Sequence, residues 1–427
     1  MNRPAPVHLA SRPIAYKENG FRIVSGEETL KRFDAFLLSS GMEIQVLVEP
    51  WEYPPFSSTM LEYISPFGHQ YNKVYLGKGD SDLQCRLSAS MEFLERTAAQ
   101  HYSDDDLFEV PYEKIPEKSL DPKDLCLPTD SCYSDALPID WVWGYSLTRS
   151  RPLLVPANAV FCPYFADTSE KQIMDNDSNG LASGNCLEEA VFHGLMELIE
   201  RDHLIIMEYN QHNSPDVISP ENDLLARLDA MHIRYWVKDV RNDISIPSFG
   251  VLLEGEDSGE TVHSFSVGTH LDPDIALSRA VTEALQLYPR SANYEKWLSS
   301  APIDHLYQKA EQSIDYDGIA NLSSDNLLEN IQKTIAILKE VGSEVVVVDL
   351  SLPDTDFSVV RVIATKLQPV IIPGSPRFSQ RLFHVPVDLG WREKAMQDNE
   401  IHYRHLCGYA VSSDHDHSGD QPQNWKK

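Results

Sequence analysis

Two short runs spell the same acidic pattern. Glu92-Phe93-Leu94-Glu95-Arg96 and Glu197-Leu198-Ile199-Glu200-Arg201 both read Glu-x-x-Glu-Arg, and each closes a segment with helical periodicity. At about 100° per residue, Asn185, Glu189, Glu197 and Glu200 share one side of a helix, opposite Val191, Leu195 and Leu198. Ser88 joins Glu92, Glu95 and Arg96 on one face of the other helix. A third segment, DPDIALSRAVTEALQ, sets Arg279, Glu283 and Gln286 at i, i+4 and i+7. One such helix is an ordinary solvated face. Solvation gives no reason for the same spelling to recur.

Glutamates facing one another from adjacent helices repel unless a cation lies between them, and hard oxygen ligands in this number suit Mg²⁺. Magnesium commonly joins carboxylates to the phosphates of a nucleotide, with arginines completing the neutralisation. Arg96, Arg201 and Arg279 are then phosphate partners, and the pattern predicts a nucleoside triphosphate held by magnesium in a helix-lined site. No GxxxxGK[ST] loop is present, and Gly77-Lys78-Gly79 alone is a weak phosphate signal. A di-iron or di-manganese carboxylate site requires Glu-x-x-His; His193 lies upstream of Glu197 and does not supply it.

The elements that must carry these residues follow a loose repeat of helix, tight turn and strand. EETLKRFDAFLLSSG precedes MEIQVLVEP, DLLARLDAMH precedes IRYWVKDV, and ENIQKTIAILKEVG precedes SEVVVVDL, with Gly41 and Gly342 placed as left-handed helix caps. Further strands are expected in RPLLVPANAVF, IPSFGVLLEG, TVHSFSVGTH and SVVRVIAT, which makes the fold class mixed α+β. The Pro/Asp-rich stretch 113–140 is expected to cross the surface and is the one place where an internal boundary could fall. SSDHDHSGDQPQNWKK, with His415 and His417, lacks periodicity and reads as a disordered tail.

The 427 residues carry 36 basic and 65 acidic side chains, a formal charge of -29. Such a surface repels nucleic acid and anionic lipid. Neither a secretory signal nor a run of about 20 apolar residues occurs, so a cytoplasmic protein is expected. Six cysteines (Cys85, Cys126, Cys132, Cys162, Cys186, Cys407) form no CxxC pair and read as reduced thiols.

At GKGDSDLQCRLSASMEFLER, SNGLASGNCLEEAVFHGLMELIERD and DPDIALSRAVTEALQ the chain resembles the YcaO family, ATP-dependent enzymes that activate backbone amides. FRIVSGEETLKRF, EVVVVDL and FSVVRVIAT support the resemblance, which runs from about Lys17 to about Gly390. It implies a YcaO-type catalytic domain over 17–395, with mixed sheets packed by amphipathic helices around an ATP/Mg²⁺ site, followed by a C-terminal segment, 396–427. By the resemblance Glu92, Glu95, Glu189, Glu197 and Glu200 surround the magnesium ions. Arg22, Thr29, Lys78, Ser88, Asn185, Arg201 and Arg279 hold the nucleotide, with Arg22 and Thr29 acting from the N-terminal helix. Arg201, Arg279 and Glu200 act on the transferring phosphoryl group. Asn185 can also be read as the N-cap of its helix, and Arg96 and Glu283 as partners in interhelical salt bridges.

The implied reaction is phosphorylation of a backbone amide oxygen by ATP. A Cys, Ser or Thr side chain of a ribosomally made precursor peptide attacks the amide carbon, and loss of phosphate leaves an azoline ring. A thioamide- or amidine-forming enzyme, or one associated with ribosomal-protein modification, is the alternative. A noncatalytic scaffold is disfavoured, because a dead site is free to lose mutually repelling charges. Azoline-forming members commonly end in a PxPxP tail, whereas this chain ends GDQPQNWKK, and Leu287-Tyr288-Pro289-Arg290 replaces the usual continuation after Gln286. The resemblance further implies a peptide substrate and a separate partner, either E1-like and leader-binding or TfuA-type. A homodimer or a hetero-oligomeric complex is expected.

Overall fold

The computed structural model describes residues 7–50, 57–64, 74–220, 222–257, 260–286, 306, 309–353, 355–372 and 375–397. Arg290, Cys407, His415, His417 and nearly all of the C-terminal segment lie outside them.

Helix α1 (Gly26–Ser40) starts at Ser25, whose hydroxyl accepts from the Glu28 amide, and stops at Gly41 with φ 67°. Strands β1 (Glu43–Pro50), β2 (Ser57–Ile64) and β3 (Val74–Gly79) follow as an antiparallel sheet. Helix α2 (Asp82–Ala98), capped by Ser81, packs on β2 and β3. After β4 (Phe108–Pro111), β5 (Pro138–Ser146) and β6 (Arg151–Pro156), strand β7 (Leu181–Gly184) feeds α3 (Leu187–Tyr209). Then come β8 (Asp216–Ile218), α4 (Asp223–Ala230), β9 (Arg234–Asp239), β10 (Ser248–Asp257), β11 (Glu260–Thr269) and α5 (Pro273–Gln286). The described chain closes with β12 (Ser313–Asp315), α6 (Leu327–Glu340), β13 (Val345–Asp349), β14 (Ser358–Ala364) and α7 (Gln380–Asp388).

Among the described residues the strands form three sheets: β1-β2-β3, then β11-β10-β9-β8-β12, then β4-β5-β13-β14-β7 with β6 also paired to β5. The helix–strand copies seen in the sequence prove to be parts of a larger unit. In α1-β1-β2-β3-α2 and in α4-β9-β10-β11-α5 a helix, three antiparallel strands and a second helix follow one another. Gly41 and His232 stand at the same point after the first helix, at φ 67° and 58°. A third unit is assembled out of chain order. Helix α6, β13 and β14 supply its first three elements, with Gly342 at φ 75°, and β7 and α3, from earlier in the chain, supply its last two.

Each unit presses its second helix onto its third strand. A Cβ on Gly77 would lie 1.7 Å from Cys85 O, and one on Gly268 2.3 Å from Ala276 O. Glycine is therefore what lets α2 and α5 sit this close to β3 and β11. The expected helices, strands and left-handed caps are present. Stretch 113–140 is loop-rich, but it does not merely cross the surface: Leu120 and Leu125 are buried in the same core as Trp141, Leu153 and Val346. Apolar area removed from water explains why so irregular a segment stays docked. Cys85, Cys126, Cys132, Cys162 and Cys186 are free thiols. No helix among the described residues is long and apolar enough to cross a membrane.

Candidate functional site

Between Glu188 and Met207 helix α3 is buried all round except at His193, Glu197 and Arg201, which lie four residues apart along one line. On α2 the half-buried Ser88, Glu92, Glu95 and Arg96 form a matching line, and on α5 so do Arg279, Glu283 and Gln286. These positions correspond. One constant offset in residue number carries Ser88, Glu92, Glu95 and Arg96 onto His193, Glu197, Glu200 and Arg201, and another carries Ser88, Glu92 and Glu95 onto Arg279, Glu283 and Gln286. Three equivalent helices thus turn equivalent polar stripes towards a common cleft.

The stripes are locked in a ring, each helix gripping the third strand of the next unit. Glu95 accepts from the Ser183 amide at 2.9 Å and from its hydroxyl at 2.8 Å. Glu200 accepts from the Thr269 amide at 3.0 Å. Glu283 pairs with Lys78. Ser183, Thr269 and Lys78 are themselves corresponding positions on β7, β11 and β3. Two of the three contacts use a backbone amide, which no motif in the sequence announces.

Further polar contacts fix the charged groups. Glu197 accepts from the Gly180 amide at 2.7 Å and lies 3.3 Å from Arg201. Arg279 stands 3.6 Å from Glu200. Arg96 pairs with Glu92 on its own helix at 3.7 Å, so its salt bridge is not the interhelical one expected. Lys78, expected to help hold the nucleotide, has its ammonium against the Glu283 carboxylate.

A second group sits at the N-terminal end of α3. Glu189 accepts from the Asn185 amide at 2.7 Å, from Asn185 Nδ2 at 2.9 Å and from the Ile23 amide at 2.5 Å. Thr29 Oγ1 donates to Asn185 Oδ1 at 3.0 Å. Asn185 is not the helix cap: Cys186 occupies that position, and the Asn185 side chain bonds Glu189 and Thr29 through one Nδ2 hydrogen and one Oδ1 lone pair instead. Arg22 does not act from the N-terminal helix. It lies ahead of α1 in a bridge with Tyr16, its guanidinium 3.5 Å from Gln84 Oε1.

Among the described residues no three His, Cys, Asp or Glu side chains converge as a ready-made metal cage. The five glutamates are split, with Glu189 among backbone amides and the other four along α2 and α3. This is compatible with Mg²⁺, which keeps water and substrate phosphates in its octahedral shell and needs only one or two carboxylates. The structure supplies two tests of fit. Burial pushes the Glu95 carboxyl up to about 8, with Glu92 and Glu197 adding repulsion, so negative charge is crowded there in the absence of a cation. Arg279 Nε is buried with no hydrogen-bond partner among the described residues, a donor left over for an anion. Burial, followed by the Arg279 charge, pulls the Lys78 ammonium down to about 8. Both features match a magnesium-bound polyphosphate.

The Glu95 displacement has a measurable sign. Between about pH 4.5 and 8 the folded, nucleotide-free protein binds a proton that the unfolded chain has released, so this carboxyl removes stability as pH rises through that window. Glu95→Gln keeps an acceptor for Ser183. In urea denaturation with a chelator, the difference in stability between about pH 6 and pH 8.5 is expected to shrink in the variant. An unchanged difference would show that Glu95 is already ionised.

A family model described as YcaO cyclodehydratase, ATP- and Mg²⁺-binding, matches residues 76–368. A protein of Methanothermobacter thermautotrophicus is 33% identical over 319 residues, covering 69% of this chain and 82% of its own. A protein encoded in the tfuA 3′ region of Rhizobium leguminosarum bv. trifolii is 30% identical over 236 residues, 50% of this chain and 54% of its own. Among solved structures, that of YcaO from Methanopyrus kandleri bound with AMPPCP and Mg²⁺ superposes with a TM-score of 0.68 at 25% identity, covering 86% of this chain and 98% of that one. A heterocyclase in complex with substrate and cofactor superposes with a TM-score of 0.81 at 23% identity over 94% of this chain, which spans 59% of the heterocyclase's length. The matched region contains α2 and α3, the strands that they grip, and α5 with Arg279; by fold and by sequence, this chain belongs to the YcaO family.

Proposed function

We propose that the cleft binds ATP with Mg²⁺ and uses it to phosphorylate the oxygen of a peptide backbone amide. The observation that carries this reading is the ring of three equivalent helices whose open stripes hold carboxylates and guanidiniums, with Ser88, His193 and Gln286 beside them. Bound Mg²⁺ would be held by Glu92, Glu95, Glu197 and Glu200 and would neutralise phosphate oxygens as charge moves between them. Arg201 stands beside Glu197 on the same helix and Arg279 faces Glu200 from α5, and both are assigned to the phosphate chain. Asn185, Thr29 and Arg22, braced by Glu189, are assigned to the rest of the nucleotide, and Ser88 borders it from α2.

The chemistry needs no covalent nucleophile from the protein. The thiol or hydroxyl of a substrate Cys, Ser or Thr adds to the preceding amide carbon. The amide oxygen then takes the γ-phosphoryl group with release of ADP, and departure of inorganic phosphate together with the proton of the amide nitrogen leaves a C=N bond and the azoline ring. Oriented guanidiniums stabilise the charge that builds on the phosphoryl oxygens, which is where most catalysis of phosphoryl transfer arises. A peptide substrate delivered by a separate leader-binding protein fits this reading.

The relative encoded in the tfuA 3′ region favours a second outcome on the same site, in which external sulfide is the nucleophile, the product is a thioamide and a TfuA-type protein is the partner. Co-expression with candidate peptide and partner, followed by mass spectrometry, separates the two. Loss of about 18 Da marks dehydration and gain of about 16 Da marks exchange of oxygen for sulfur. Mg-ATP hydrolysis without any change in peptide mass, with every partner tried, would sink the amide-activation reading.

A further inference from the structure

We propose that His193 is a nucleoside-contacting residue, whose bare Nε2 accepts a hydrogen bond from a hydroxyl or amino group on the ribose or base of the bound nucleotide. The inference rests on the nucleotide reading of the cleft and assigns a residue which the acidic motifs left out.

Three observations place it. First, His193 stands on α3 where Ser88 stands on α2 and Arg279 on α5, and it is one of three side chains that open an otherwise buried helix to the cleft. Second, its Nδ1 lies 3.3 Å from the carbonyl oxygen of Ser183. A carbonyl only accepts, so Nδ1 carries the hydrogen and Nε2 of the neutral ring is an acceptor. Third, the ring is neutral under ordinary conditions: burial, with Arg22 and then Arg279 nearby, pulls its pKa down to about 4. Nε2 borders Gly20, where an added Cβ would lie 3.4 Å away, in ordinary van der Waals contact.

The chemistry of the acceptor selects its ligand. Near neutral pH a triphosphate chain offers oxygens that accept, and two acceptors facing each other repel. The guanidiniums of Arg201 and Arg279 suit that part of the ligand. The nucleoside carries the donors: two ribose hydroxyls and, in adenosine, an exocyclic amino group.

Calorimetric titration of the full-length protein with Mg²⁺ and ATP, inorganic tripolyphosphate, or an analogue tests the assignment. His193→Gln places an amide oxygen near the Nε2 position, whereas His193→Asn reaches only as far as Nδ1. ATP affinity is expected to fall about tenfold in the Asn variant, the typical effect of leaving one donor unpaired. It should stay within about threefold of native in the Gln variant, with equal urea midpoints for both without nucleotide. Tripolyphosphate should bind all three proteins alike. With the native protein, 2′-deoxy-ATP, 3′-deoxy-ATP and ITP identify the donor, since the analogue lacking it binds about as weakly as ATP binds the Asn variant. Native-like ATP binding by the Asn variant, or a parallel loss of tripolyphosphate affinity, would overturn the proposal. Failure of the native protein to bind any nucleotide would overturn the nucleotide reading itself.

Discussion

Glu200→Gln is expected to lower phosphate release from Mg-ATP by about a hundredfold or more, the usual size of losing one preorganised charge from a phosphoryl-transfer site, while the protein stays folded. The geometry separates the two effects. Glu200 accepts from the Thr269 amide at 3.0 Å, and the carbonyl oxygen of glutamine can keep that bond and with it the contact between α3 and β11. What is lost is the negative charge facing Arg279 at 3.6 Å and available to a divalent cation. Turnover measured with the peptide and partner present, alongside a thermal melt of the same sample, distinguishes chemistry from folding. Native turnover in the variant would remove Glu200 from the site.

Arg381→Met is expected to cost about 3–5 kcal/mol of stability, the range for stripping one partner from a buried ion pair. Arg381, on α7, donates through Nε and an NH2 group to both oxygens of Asp202 at 2.9 and 2.8 Å, and it also reaches Asp243 at 3.0 and 2.6 Å. Asp202 is fully buried on α3, next to Arg201, and further accepts from the Gln368 amide and from Asn242 Nδ2. The Arg381 charge and these hydrogen bonds outweigh burial and hold its carboxyl below the usual range. A depressed folded pKa adds stability above the unfolded value, and that stability drains away as pH falls through the folded one. The variant should therefore show a smaller acid-side slope as well as a lower urea midpoint. A loss under about 1 kcal/mol would mean that water reaches Asp202. Because α7 grips the turn of α3 that carries Glu200 and Arg201, partial loss of turnover is expected even at temperatures where the variant is folded.

Legibility differed between the two kinds of site residue. The paired Glu-x-x-Glu-Arg spellings exposed α2 and α3 because a helix repeats its face every three to four residues, so local spacing is enough to align Glu92 with Glu95 and Glu197 with Glu200. Gly41 and Gly342 announced their caps for a similar reason, since left-handed backbone is a property of a single residue. The donors to Glu95 and Glu200 carried no such mark. Any residue at Ser183 or Thr269 has an amide N–H, and only the close packing of one unit against the next aims it at a carboxylate. His193 belongs to no metal motif in the sequence, and its correspondence with Ser88 and Arg279 emerges from the residue numbers only with the equivalence of α2, α3 and α5. The Arg381–Asp202 pair joins residues far apart in sequence and had no local signature.

From sequence alone came the mixed α+β class, the helices, strands and caps, the acidic faces, and a nucleotide with magnesium as the ligand that reconciles so many carboxylates with so many arginines. Those properties depend on side-chain periodicity and charge, which are local. The tertiary structure decided that the three helices belong to equivalent units, one of them built out of chain order, and that each grips its neighbour's strand. It also decided that Glu189 is braced by backbone amides and that Lys78 faces Glu283. Which side chain meets which depends on how separately formed elements dock, and docking is set by burial and close packing across the whole chain.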